Sequence, residues 1–268
     1  MAFLVGSKGI GTPTWGHSLK VDPYLWSSKL SFLYDIDYLR NIESLYGNEV
    51  LKQYILEKLK AIDKFDDCLV ITDFTKFTET GTNQKLQGST SVSWEKTTDE
   101  LICTFTTGSG IVEGGYAWKY VDFAEDEKKK KLFFSCVFVV DSGHLDFQVG
   151  NASGSTLRFP PDIYSVYLST SEFGIDVESG GFITTLASKS ISLTAGASYK
   201  VAGLFDVFGH AQKAWGNIDP INIGLPTLSA TDDSINSIET FRFLAYTSTK
   251  SATITFKWKV PLIVAWKS

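Results

Sequence analysis

The chain has 268 residues, 43% of them hydrophobic and 14% aromatic, with a formal net charge of −5. That balance belongs to a globular protein with ample apolar material for a core, and it excludes disorder over most of the length. The negative total, with guanidinium groups only at Arg40, Arg158 and Arg242, argues against nucleic-acid binding, which relies on basic surface and arginine forks.

Residues 1–30 carry Gly6, Gly9, Gly11, Pro13, Gly16 and Pro23, a spacing that lets neither helix nor strand persist, yet Trp15, Tyr24 and Trp26 lie among them. The expectation is an extended N-terminal arm whose three aromatics anchor on a neighbouring surface, making them the candidate partner-binding residues. The first apolar stretch runs only from Ala2 to Val5, too short for a signal peptide, so synthesis without a secretion signal is expected. No apolar run approaches the roughly 20 residues of a membrane-spanning helix.

Residues 31–65 form a helical region. Phe32, Ile36, Leu39, Leu51, Ile55, Leu59 and Ile62 recur at three or four residues, which predicts two short helices, about 32–46 and about 49–63. Gly47 supplies the left-handed stop of the first and Asn48 the N-cap of the second.

After Asp66 the period becomes two. Runs such as Cys68-Leu-Val-Ile, Leu101 to Thr106, Ala117 to Phe123, Leu132 to Val140, Leu145 to Val149, Ile163 to Leu168, Phe173 to Val177, Ser190 to Leu193, Tyr199 to Phe208, Thr240 to Tyr246 and Thr253 to Val260 read as short strands separated by turn residues. No helical pattern intervenes to carry parallel crossovers. The fold class is therefore mainly β: an antiparallel β-sandwich or jelly roll over 66–268, preceded by the arm and the helical region. One sandwich, or two divided near Leu186, both fit. Glu125 to Lys131 reads as a solvated hairpin tip, and Gly209 to Ser237 as a long loop.

Cys68, Cys103 and Cys136 sit in apolar surroundings and read as buried free thiols, with a Cys103–Cys136 disulfide open if those strands are neighbours. The glycines around Gly6 and around Gly108 to Gly115 lack the strand-before, helix-after context of a phosphate cradle. His17, His144 and His210 are scattered, so no metal and no cofactor is expected. No Gly-x-Ser-x-Gly elbow is present for acyl transfer. Glycoside cleavage needs only two carboxylates about 5 to 10 Å apart across a groove; Glu172, Asp176, Glu178 and Asp206 are candidates, Asp176 and Glu178 sharing a strand face. Catalysis is nevertheless ranked below binding, and no catalytic residue is assigned.

The candidate ligand-binding residues are Tyr116, Trp118 and Tyr120, which project from one face of a single strand in Gly114-Gly-Tyr-Ala-Trp-Lys-Tyr. On an open face such a strip stacks on sugar rings; in the interior it is core.

The segment from Thr90 to Tyr167 resembles the jelly-roll carbohydrate-binding modules of secreted glycosidases and phage adhesins. The resemblance rests on Tyr116-Ala-Trp-Lys-Tyr, the apolar strand Leu132 to Val140 with its turn Asp141-Ser-Gly, Leu145-Asp-Phe-Gln-Val-Gly150, and Tyr164-Ser-Val-Tyr-Leu168. The whole layout resembles tailed-phage virion components of fibre, collar, baseplate or capsid-decoration type. That likeness implies homo-oligomers, association with other virion proteins, and residence in the virion after synthesis in the host cytoplasm. The leading expectation is thus a non-enzymatic virion structural protein. A carbohydrate-binding module or lectin-like adhesin is the alternative, and a glycoside hydrolase or lyase comes third.

Overall fold

A computed structural model describes residues 31–62, 68–77, 83–123, 131–151, 162–207, 211–217 and 225–266. The arm, with Trp15, Tyr24 and Trp26, and the charged tip at 124–130 lie outside the described residues. The description begins with a 3-10 turn, Ser31–Tyr34, and two helices, α1 (Ile36–Tyr46) and α2 (Asn48–Ile62). The first helix starts later than the periodicity predicts because Asp35 caps it: its Oδ1 accepts from the N–H of Tyr38 at 3.2 Å. Gly47 ends it at φ 90°, where a side chain would be strained, and its N–H returns to the Glu43 carbonyl. Asn48 does not cap through its side chain; its amide donates to Glu43 and Thr72. Arg40 bonds Glu43, Asp99 and the Thr72 carbonyl, so this guanidinium is spent on holding α1 to neighbouring loops.

The strands follow as β1 (Cys68–Ile71), β2 (Asn83–Gln87), β3 (Ser91–Lys96), β4 (Glu100–Thr106), β5 (Gly114–Asp122), β6 (Lys131–Val140), β7 (His144–Gly150), β8 (Asp162–Ser169), β9 (Glu172–Ser179), β10 (Phe182–Ser190), β11 (Ser198–Asp206), β12 (Ala211–Asn217), β13 (Leu225–Thr231), β14 (Thr240–Thr247) and β15 (Thr253–Trp266). They form two antiparallel sheets in a sandwich. The seven-stranded sheet has the order β10-β9-β8-β7-β14-β5-β2; the eight-stranded one runs β13-β12-β11-β6-β15-β4-β3, with β1 also paired to β15. Strands on either side of Leu186 interleave in both sheets, β6 with β11 and β7 with β14, so the described strands form one sandwich without a division there.

Period-two alternation makes the core. Phe147, Val166, Ile175, Phe243 and Ala245 from one sheet meet Phe134, Phe138, Val201, Phe256 and Trp258 from the other, all within a single buried cluster. A second apolar cluster lies on the opposite face of the eight-stranded sheet, where Leu39, Leu51, Ile55 and Leu59 of the helices cover Phe133, Leu204, Leu262, Val264 and Trp266. One bulge enables it. Ile254, Phe256 and Trp258 face the sandwich core, yet so do Ile263 and Ala265, an odd number of residues later. The register shift between Lys259 and Leu262, with Val260 at φ 50°, inserts the extra step and turns Leu262, Val264 and Trp266 outward to the helices. A β-branched residue at positive φ is a rare conformation, held here by the Val260 N–H donating to the Asp99 carbonyl at 2.8 Å. The same bulge marks the change of neighbour on that side of β15, from β4 to β1.

Three expectations are corrected. The loop expected over Gly209 to Ser237 contains β12 and β13, and the strand expected at Ser190 to Leu193 is instead the end of β10, with 191–194 irregular. β10 and β13 are edge strands, and β10 is largely exposed, so neither needs the apolar alternation that betrays a half-buried strand. The Cys103–Cys136 disulfide is excluded: β4 and β6 are separated by β15, two strand spacings or about 10 Å, beyond the reach of a disulfide. All three cysteines are buried free thiols, and burial raises the pKa of Cys103 and of Cys136 well above the usual thiol value. The glycine-rich turn at Gly108 to Gly115 also has its occupant. Glu113 accepts from the N–H groups of Ser89, Gly108 and Gly110 and from the Ser89 and Thr90 hydroxyls. Burial alone would raise this carboxyl, but those donors outweigh it and hold the pKa at about 2.

Candidate functional site

The outer face of the seven-stranded sheet is built differently from the helix-covered one. On β7, Leu145, Phe147 and Val149 enter the core, so His144, Asp146 and Gln148 point away from it. On β8, Tyr164, Val166 and Leu168 go in, leaving Ile163, Ser165 and Tyr167 outside; on β9, Phe173, Ile175 and Val177 go in, leaving Glu172, Gly174, Asp176 and Glu178. These outward residues other than Gly174, with Ile183 of β10, line one pocket of about 240 Å³. Drug-sized sites typically measure roughly 300 to 1,000 Å³, so this one suits a single small ring.

Part of its lining is polar and yet shielded from water. Asp146, Gln148, Ser165 and Glu178 are each at most 8% exposed. Antiparallel register sets Gln148, Ser165 and Asp176 side by side across β7, β8 and β9. The next row holds Asp146, Tyr167 and Gly174. The Tyr167 ring lies over Gly174 so closely that a Cβ there would come within 2.3 Å of it; the glycine is the space the aromatic wall occupies. Tyr167 Oη donates to Glu172 Oε1 at 2.9 Å, and burial with that carboxylate raises its pKa. Gln148 Nε2 donates to Asp146 Oδ2 at 3.2 Å, and His144 Nε2 stands 3.6 Å from Asp146 Oδ1.

Hydrogen-bonding capacity is left over. Gln148 Oε1, Ser165 Oγ and Asp176 Oδ1 are buried atoms without a hydrogen-bond partner. Buried polar atoms are nearly always satisfied in native structures, so three adjacent exceptions in one pocket point to a ligand. Burial pushes the Asp176 pKa up to about 6; a hydrogen bond with Thr185 opposes this, while Asp146 and Glu172 add to it. Arg242, on β14 beside Gln148, is fully buried, and its Nε and both Nη atoms also lack partners. Burial lowers its pKa to about 10, against the pull of Asp122 and Glu178, so it remains a cation at neutral pH. Among the described residues no group of three or more His, Cys, Asp or Glu side chains is placed to hold a metal, and no helix is long and apolar enough to cross a membrane.

Tyr116, Trp118 and Tyr120 do project from this same outer face, through the register of β5 with β14. Trp118, however, is 2% exposed, so the strip along β5 is not an open stacking platform. The aromatic continuity runs across strands instead: Tyr116 stacks on Tyr246 at 4.4 Å and Tyr246 on His144 at 4.6 Å, leading to the pocket edge. Of the four candidate carboxylates, Glu172, Asp176 and Glu178 are brought together. Asp206 belongs to the other sheet and lies 3.5 Å from Lys131 Nζ. Asp146, Gln148, Ser165 and Tyr167 were not singled out by sequence reasoning. The alternation in His144-Leu-Asp-Phe-Gln-Val is the one signal that marks part of the set.

No family model and no curated protein matches the sequence. Among solved structures, a galactose complex of the lectin UEA-II is similar at 14% identity and TM-score 0.49, covering 76% of this chain and 100% of that one. Arcelin-5, a lectin-like defense protein from Phaseolus vulgaris, is similar at 12% identity and TM-score 0.47, with 75% and 98% covered. A sialidase matches at 12% identity and TM-score 0.41, over 71% of this chain and 18% of that one.

Proposed function

We propose that this protein binds carbohydrate in the pocket on the outer face of the seven-stranded sheet. The observation that carries the reading is the row Gln148, Ser165 and Asp176, shielded side chains whose open hydrogen-bonding positions face a cavity the size of one ring. Sugars meet such a site with several hydroxyls at fixed spacing, and the Tyr167 ring, packed close against Gly174, offers their C–H faces an aromatic surface. A glycan array on the intact chain tests this, followed by calorimetry on the best ligand. Binding that is lost in Tyr167→Ala with the melting curve preserved supports the reading; an array without a hit on folded protein counts against it.

A second reading, cleavage of a glycosidic bond, is favoured by Asp176. A carboxyl whose pKa is raised to about 6, in one pocket with the second carboxyl of Glu178, has the form of a general acid beside a partner. Release of reducing ends, abolished by Asp176→Asn, would establish it. A setting on a phage particle rests on the sequence layout alone; nothing in the comparisons points to a phage, and the anchoring residues proposed for assembly lie outside the described residues.

A further inference from the structure

Two of the three leftover atoms of the row are acceptors, and the third is a hydroxyl that can accept. Gln148 commits its amide N–H to Asp146 Oδ2, which leaves its Oε1, an acceptor, facing the row. Asp176 Oδ1 is an acceptor as well, and Ser165 Oγ, between them, can accept. Apart from the Ser165 hydroxyl, the row therefore lacks donors. A sugar hydroxyl brings one donor and lone pairs that need donors in turn; an ammonium group brings three donors and no acceptor. Neighbouring strands lie about 4.8 Å apart, so a group seated over Ser165 has Gln148 on one side and Asp176 on the other.

Charge agrees with hydrogen bonding. Asp146, Glu172, Asp176 and Glu178 all line the cavity, and among the described residues His144 is the only basic side chain that does. Arg242 stands beside Gln148 on the neighbouring strand, fully buried and outside the cavity lining, and interacts electrostatically with Asp122 and Glu178. We propose that the row Gln148, Ser165 and Asp176 receives a primary ammonium carried on a sugar ring, which makes the pocket selective for hexosamine units with a free amine over their N-acetylated forms. The proposal rests on the carbohydrate-binding reading and names its ligand class. The mutual repulsion that helps keep Asp176 protonated is relieved when a cation arrives, so ammonium binding and ionisation of Asp176 reinforce each other.

Calorimetric titration of the full chain with a glucosamine trimer and with its N-acetylated counterpart tests this. Near neutral pH the free amine is expected to bind about tenfold tighter, the scale of one charge-assisted contact. The advantage should shrink as the pH falls through about 6 and Asp176 takes up its proton. Asp176→Asn should bring the free-amine trimer down to the affinity of the acetylated one, erasing the preference. Equal or tighter binding of the acetylated trimer by the native chain overturns the amine assignment and leaves the carbohydrate reading standing. Failure of both trimers and of every other glycan to bind folded protein overturns the two together.

Discussion

The two outer faces of the sandwich solve the same problem in opposite ways. On the eight-stranded sheet, Phe133, Leu204, Leu262, Val264 and Trp266 are apolar, and two helices cover them with Leu51, Ile55 and Leu59. On the seven-stranded sheet, Asp146, Gln148, Ser165 and Arg242 are just as shielded from water but polar, and Gln148, Ser165 and Arg242 leave hydrogen-bonding capacity unused. Burying apolar surface stabilises a fold, at about 25 cal/mol per Å², whereas burying an unpartnered polar group costs on the order of 1–3 kcal/mol. The first face holds the protein together; the second costs stability, a cost that the proposed ligand would offset.

Mutations can sharpen that contrast. The largest effect is expected at the apolar face: Ile55→Ala leaves a cavity under α2 and should lower unfolding free energy by about 2–4 kcal/mol in urea titrations, without changing glycan affinity. At the polar face, Gly174→Ala pushes the Tyr167 ring out of place and should weaken ligand binding about tenfold, roughly 1.4 kcal/mol, with little change in melting temperature.

Asp176→Asn is expected to stabilise the unliganded protein. The folded-state pKa of Asp176, about 6, lies above its ordinary value of 3.8, so the native state binds the extra proton and stability falls as pH rises through that window. At pH 7 the neutral amide escapes a penalty on the order of 1 kcal/mol, solvent screening included; near pH 3 the difference should vanish. Parallel melts of the two proteins across pH measure it. The smallest effect belongs to the ion pair between Lys200 Nζ and Asp37 Oδ2 at 3.0 Å, which is largely exposed. Asp37→Asn should cost less than about 0.5 kcal/mol, and a much larger loss would mean that charge rather than apolar burial seats the helices.

The apolar side of this comparison was legible in the sequence. The spacing of Leu39, Leu51, Ile55 and Leu59 announces the helices, and alternation announces the long central strands. Edge strands such as β10 and β13 were not, because a strand with one free side carries no obligatory apolar face. The site was legible one strand at a time. Asp176 and Glu178 reveal a shared face by their spacing, but that Ser165 lies between Asp176 and Gln148 is a fact of register. Register depends on pairings among segments whose sequences do not mention each other. Burial of Trp118 on an outward face was hidden for the same reason: alternation assigns a side, not what lies above it.

The most direct test of the account is amide chemical-shift mapping on the labelled chain during titration with the best glycan from the array. Saturable shifts are expected to concentrate at Gln148, Ser165, Tyr167 and Asp176, with α1, α2 and β1 unmoved. Shifts centred on the helix-covered face, or spread evenly with none at the Gln148 to Asp176 row, would contradict it.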